Sequence, residues 1–105
     1  MGVRFPVTAG AEQTSGFVIR YGGQVYGYLN RCAHVPIELD WNEGDFFESG
    51  GEYLICATHG ALYIPQTGYC AGGPCRGRSL RPITIVEVNN QVFWQPDDYV
   101  RPARA

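Results

Sequence analysis

The sequence predicts an all-β fold: small antiparallel sheets with a loop-rich subdomain inserted between the chain's two ends. Three observations predict it. Short runs rich in β-branched and aromatic residues stand near both ends, turn-forming pairs split those runs, and no stretch sustains a helical period. Fourteen glycines, seven prolines and 13% aromatic residues in 105 residues suit short strands and tight turns better than long helices.

The first pair of strands is read from "GFVIRYGGQVYGYL" (16–29), where Gly22-Gly23 suits a two-residue hairpin turn. The last is read from "ITIVEVNNQVFWQ" (83–95). There Ile83, Ile85 and Glu87 alternate with Thr84, Val86 and Val88, and Asn89-Asn90 can both take the positive φ of a type I′ turn. Between the hairpins, "EYLICA" (52–57) and "ALYIP" (61–65) read as two more short strands. The remaining middle reads as loop. "PIELDWNEGDFFESGGE" (36–52) concentrates six acids around Trp41 and Phe46-Phe47, and "TGYCAGGPCRGRS" (67–79) is glycine-rich with a basic end. No internal repeat or linker divides the chain, so one domain is expected. Its base would come from about 1–29 and 77–105, and its inserted subdomain from about 30–76.

Charge and length exclude several roles. Lysine is absent, eight arginines face ten acids, and the net charge of −2 argues against nucleic acid or anionic lipid as partner. No segment approaches the ~20 apolar residues of a membrane span. The opening lacks a signal peptide's apolar run, and "MGVRFP" carries Pro6 where a myristoylation signal wants Ser or Thr. A soluble, cytoplasmic protein is expected, and in that compartment four cysteines favour a metal role over two disulfides.

The two histidines of the chain each follow a cysteine closely. "CAHVP" holds Cys32 and His34 as C-x-H; "CATHGALY" holds Cys56 and His59 as C-x-x-H-G. Loops carried on rigid strands commonly present ligands. "NRCAH" follows a predicted strand, "CATHG" sits at a predicted hairpin tip, and the 21 residues between His34 and Cys56 let the two tips face each other. Two thiolates and two imidazoles can then enclose a metal centre. The same donors could hold structural zinc, although zinc sites usually pair C-x₂₋₄-C with H-x₃₋₅-H. A Cys–His nucleophile needs one such pair rather than two, and buried cysteines beside incidental histidines would be packing alone.

This doublet, with a Gly-Pro stretch downstream, resembles the Rieske iron–sulfur proteins over the whole chain. The resemblance implies a [2Fe-2S] cluster with Cys32 and Cys56 on one iron and His34 and His59 on the other. It also implies that "GGP" (72–74), with Gly73 and Pro74, is the proline loop covering the cluster. With neutral imidazoles, two ferric ions, two sulfides and two thiolates sum to zero charge, whereas four thiolates would leave an excess of negative charge. Imidazole ligation therefore lifts the potential, into a range of about −150 to +300 mV. In quinol-oxidising relatives "HG" is followed by a serine and, two positions later, a tyrosine. Here Ala61 and Tyr63 stand there, so one hydroxyl donor is missing and the other is aimed, by resemblance, at the sulfur of Cys32. The plainer alternative for Tyr63 is an ordinary strand aromatic. Those relatives also bridge the two cluster loops by a disulfide where this chain has Ile37 and Thr58. A midpoint in the lower part of the family range is expected. "CAGGPC" copies the first C-x₄-C of a plant-type ferredoxin, but no cysteine follows two residues after Cys75. Cys70 and Cys75 are expected to be free thiols, a local disulfide being the alternative because so short a loop can close.

Ring-hydroxylating oxygenases add a mononuclear iron held by two histidines and a carboxylate. Both histidines here are already committed, and no G-x-G-x-x-G fingerprint is present. The expectation is therefore a one-electron carrier without a catalytic site of its own. It would take an electron from a flavoprotein reductase and pass it to a terminal oxygenase or similar enzyme. Two alternatives remain: a small Rieske subunit of a multicomponent oxygenase or nitrite reductase-like enzyme, and a structural zinc-binding interaction module. The acidic 38–52 segment and Arg76, Arg78 and Arg81 are either partner-steering patches or solvated faces.

Overall fold

The computed structural model describes residues 2–33, 37–40 and 42–103. Among these residues nine strands run β1 (Gly2–Ala9), β2 (Glu12–Tyr21), β3 (Gln24–Leu29), β4 (Leu54–Ile55), β5 (Leu62–Tyr63), β6 (Cys70–Gly72), β7 (Pro82–Val88), β8 (Gln91–Gln95) and β9 (Val100–Pro102). Among the described residues there is no helix, and so none long and apolar enough to cross a membrane. The two ends of the chain build a six-stranded sheet in the order β8-β7-β3-β2-β1-β9, and the middle builds a three-stranded sheet, β4-β5-β6.

Both predicted hairpins form, for the expected reason. β2 turns into β3 on Gly22 and Gly23, with φ of 59° and 82°; β7 turns into β8 on Asn89 and Asn90, with φ of 51° and 64°. Asparagine is the L-residue that tolerates this region best, through its short polar side chain. The hairpins then join edge to edge through β3 and β7, pairing Gly27 with Ile83 and Tyr28 with Pro82. A Cβ on Gly27 would collide with the Ile85 side chain, so the close approach needs glycine there.

Three strands were not legible. β1 contains Pro6 and little alternation, yet it pairs with β2 along its whole length, from Gly2 opposite Ile19 to Ala9 opposite Glu12. β9 pairs only with Val7–Ala9, which leaves Pro6 beside the short ladder rather than inside it. β6 depends on a bulge that sets Cys70 opposite Tyr63 and Gly72 opposite Leu62. The predicted strands at 52–57 and 61–65 shorten to β4 and β5, because the residues flanking them turn away to form loops.

The middle shares the core of the sheet. Phe17, Ile19 and Tyr28 pack with Leu39, Phe46, Leu54, Cys56, Tyr63 and Leu80, and Phe17 stacks on Phe46 with ring centroids 4.0 Å apart. A smaller cluster of Val7, Ala9, Leu29, Ile83 and Val100 lies at the other end, with Phe5 stacked on Trp94.

One expectation is corrected. Cys70 and Cys75 form a disulfide, with Cα atoms 5.5 Å apart, rather than free thiols. The bulged β6 and the following Gly72-Gly73 fold the chain back within bridging distance.

Candidate metal centre

Cys32 stands just past β3, and its N–H donates to the Ile37 carbonyl at 2.8 Å. Asn30, buried, holds the residues on either side of this bond. Its Nδ2 donates to Ser15 Oγ (3.0 Å) and Asp40 Oδ1 (2.8 Å), while its Oδ1 accepts the Leu39 N–H (2.8 Å). A buried carboxylate such as Asp40 requires compensating donors. It also accepts from Arg4 Nη1 (3.2 Å) and the Gly44 N–H (2.9 Å). These residues are thereby fastened to β1 and β2. His34, predicted on the loop that Cys32 opens, lies outside the described residues, as do Val35, Pro36 and Trp41.

Cys56, fully buried, follows β4 and opens the second tip. The Cys56 N–H donates to the Ala61 carbonyl and the Gly60 N–H returns to the Cys56 carbonyl, each at 2.9 Å. Gly60, with φ of 74°, closes the turn and leaves Ala57–Gly60, His59 included, exposed to solvent. The Ala57 N–H donates to the Leu39 carbonyl at 3.0 Å, tying one loop to the other.

The two cysteine side chains come together in one buried cluster and interact. Cys32 hydrogen-bonds to Cys56, and the Thr58 and His59 N–H groups donate to the Cys56 sulfur. Burial pushes the Cys56 thiol up; the two N–H donors act in the opposite direction, and Cys32 adds to the rise. The Tyr63 hydroxyl lies 3.2 Å from Cys32 Sγ and accepts the Ala33 N–H at 3.0 Å. Burial foremost, and then the Cys32 contact, raise the Tyr63 pKa far above the usual phenol range, so it remains a protonated donor. Facing a thiolate, which can only accept, that hydroxyl donates to sulfur.

The Gly-Pro loop packs against the second tip. Gly73 has φ of +83°, and a Cβ on it would lie 3.0 Å from the Gly60 carbonyl oxygen and 3.1 Å from Ala61 Cα. Glycine meets both demands, conformation and space. Ala61 is fully buried beneath this contact, while Pro74 is exposed.

Cys32, Cys56, Ala61, Tyr63 and Gly73 are thus brought together, and His59 sits on the exposed turn beside Cys56. Among the described residues, no three His, Cys, Asp or Glu side chains gather around a single ion position. Sequence reasoning missed the Thr58 and His59 amide donors; the glycine of "HG" was the available signal, since it makes the turn that points them inward. It also missed the part that the acids play in holding loops. Asp40 is buried in the network at Asn30, and Glu48 accepts the Gly50 and Glu52 N–H groups, which hold its carboxyl below the usual range. Of the basic residues, Arg81 is engaged by Asp97 at 3.1 Å and lies over the Tyr99 ring.

The model of the Rieske [2Fe-2S] domain matches residues 2–93. The chain belongs to the Rieske family. The cofactor of a Rieske domain is a [2Fe-2S] cluster, and two interacting cysteines from separate loops, with amide and hydroxyl donors beside them, suit the thiolate side of such a cluster. No curated protein sequence matches this Rieske chain. Among solved structures, it is similar to a chain of the complex of reduced oxygenase and oxidised ferredoxin in carbazole 1,9a-dioxygenase, with TM-score 0.65 and 23% identity, covering 90% of this chain and 89% of that one. The ferredoxin of carbazole 1,9a-dioxygenase from Nocardioides aromaticivorans IC177 gives TM-score 0.60 and 20% identity, covering 94% and 99%. The terminal oxygenase of carbazole 1,9a-dioxygenase from Novosphingobium sp. KA1 gives TM-score 0.65 and 19% identity, covering 97% of this chain but 31% of that one. These likenesses establish the Rieske fold.

Proposed function

We propose that the chain is a one-electron carrier, with Cys32 and Cys56 binding one iron of the cluster and His34 and His59 the other, and with no catalytic site of its own. The observation that carries this reading is the interaction of Cys32 and Cys56 from two separate loops. When bound, the cluster supplies a one-electron couple. The chain's residues do the rest. Tyr63 donates to the Cys32 sulfur, the Thr58 and His59 amides donate to the Cys56 sulfur, and each bond strengthens as negative charge arrives. Leu39, Leu54 and Ala61 keep water from the thiolate side. The tip at 57–60, exposed, lets a partner approach the His59 edge.

The subdomain of about 30–76 is read as the cluster-binding part, and the six-stranded sheet as its base. The donor is read as a flavoprotein reductase and the acceptor as a terminal oxygenase, in the cytoplasm; similarity to a ferredoxin of comparable length supports a carrier over an oxygenase. Ala61, in place of a hydroxyl donor, and Ile37 and Thr58, in place of a bridged cysteine pair, favour a midpoint low in the family range.

Anaerobic reconstitution should yield equimolar iron and acid-labile sulfide, with a Rieske EPR signal after dithionite reduction. Cys56→Ser should abolish both. A colourless reconstituted chain, or an unaltered EPR signal in His59→Ala, would overturn the assignment.

A further inference from the structure

We propose that Arg78 raises the reduction potential of the centre by holding its guanidinium against the peptide that joins Cys32 to His34. The inference rests on the ligand assignment above. Arg78 Nη1 donates to the Ala33 carbonyl at 3.0 Å, across 45 positions of sequence. Ala33 is the residue between the two predicted ligands of the first loop, and its N–H is already taken by the Tyr63 hydroxyl. Its N–H and its carbonyl are thus held from two different elements. A guanidinium–carbonyl bond is charge-assisted and stronger than a neutral one.

The mount is as fixed as the contact. The Arg78 N–H donates to the Cys75 carbonyl and the Arg78 carbonyl accepts the Cys70 N–H, both at 2.9 Å. Arg78 is therefore bonded through its main chain to both halves of the Cys70–Cys75 disulfide. The bridge that closes the Gly-Pro loop also sets where this side chain begins. A cation placed in this way has a direct electrostatic consequence. Reduction by one electron, supplied by a reductase or by dithionite, adds one negative charge at the centre, and a neighbouring cation stabilises the reduced state more than the oxidised one. Arginine stays charged at every working pH, so the contribution does not titrate. The side chain is exposed, so dissolved salt weakens the effect.

The test is the midpoint of the cluster-loaded protein, by EPR-monitored titration at low and high salt. Arg78→Gln keeps an N–H for the Ala33 carbonyl but removes the charge. Its midpoint should fall relative to wild type, and the difference should shrink at high salt. Arg78→Lys should stay near wild type, and Arg76→Gln, which removes the same charge two residues away, should shift less than Arg78→Gln. An unmoved midpoint in Arg78→Gln with an intact EPR signal overturns the inference, as does an equal shift in Arg76→Gln. If Arg78→Gln does not load the cluster, Arg78→Lys decides: a midpoint that stays supports the charge, and one that falls refutes it. Failure of the ligand assignment looks different, because the wild-type chain itself would then carry no cluster.

Discussion

The six-stranded sheet and the segment between β3 and β7 satisfy their backbones in opposite ways. In the sheet, main chain pairs with main chain: β1 and β2 match over eight residues and β7 and β8 over five. Among the described residues between β3 and β7, the strands are Leu54–Ile55, Leu62–Tyr63 and Cys70–Gly72. There side chains supply many of the partners that a ladder would give. Asn30 takes the Leu39 N–H, Asp40 the Gly44 N–H, Tyr63 the Ala33 N–H, and Tyr28 donates to the Pro65 carbonyl at 2.7 Å. Backbone polar groups away from water must be paired somewhere. Where the chain is bent into loops, the pairing falls to particular residues, and the local structure becomes sensitive to each of them.

The comparison breaks if the two regions unfold separately. Phe17 belongs to β2, yet its ring stacks on Phe46 of the inserted segment. Phe17→Ala should cost about 3–5 kcal/mol. Urea unfolding followed by tryptophan fluorescence and by cluster absorbance should move together to lower denaturant. Two separated transitions would show that the shared core does not couple the regions.

A smaller effect sharpens the contrast from the loop side. The Cys70–Cys75 bridge closes a six-residue loop, for which the chain-entropy account gives about 2 kcal/mol. In the double variant Cys70→Ser/Cys75→Ser the Gly73 packing and the Arg78 mount should loosen, and the cluster's visible absorbance should decay faster in air than in wild type. An unchanged decay would mean that main-chain bonds alone hold that loop.

How much of this was legible follows the same division. The hairpins at Gly22-Gly23 and Asn89-Asn90 were readable because the turn chemistry is local and the flanking runs are β-rich. The Cys32 and Cys56 meeting was readable because "CAH" and "CATHG" are dense, ordered signals. β1 was not, because its partner decides it and Pro6 disguises it. The role of Asp40 was not, because an acid in an acidic run gives no sign of burial; only the fold brings Arg4 and Asn30 to it. Cys70 and Cys75 were misread because compartment outweighed proximity, while the bulge that draws them together has no signature in sequence.

Tyr63 tests the comparison at a single oxygen atom. Its ring belongs to the core, and its hydroxyl belongs to the site through Cys32 Sγ and the Ala33 N–H. Tyr63→Phe keeps the ring and deletes both bonds. The lost partner for the Ala33 amide should cost about 1–2 kcal/mol. The lost donor to sulfur should lower the midpoint, because the bond is stronger when the sulfur carries more negative charge. A purely packing role for Tyr63 predicts neither change, so denaturation and a redox titration of this one variant separate the two. A midpoint equal to wild type, with stability also unchanged, would place Tyr63 with the ordinary strand aromatics, and the contrast between ladder-held and side-chain-held backbone would lose its sharpest example.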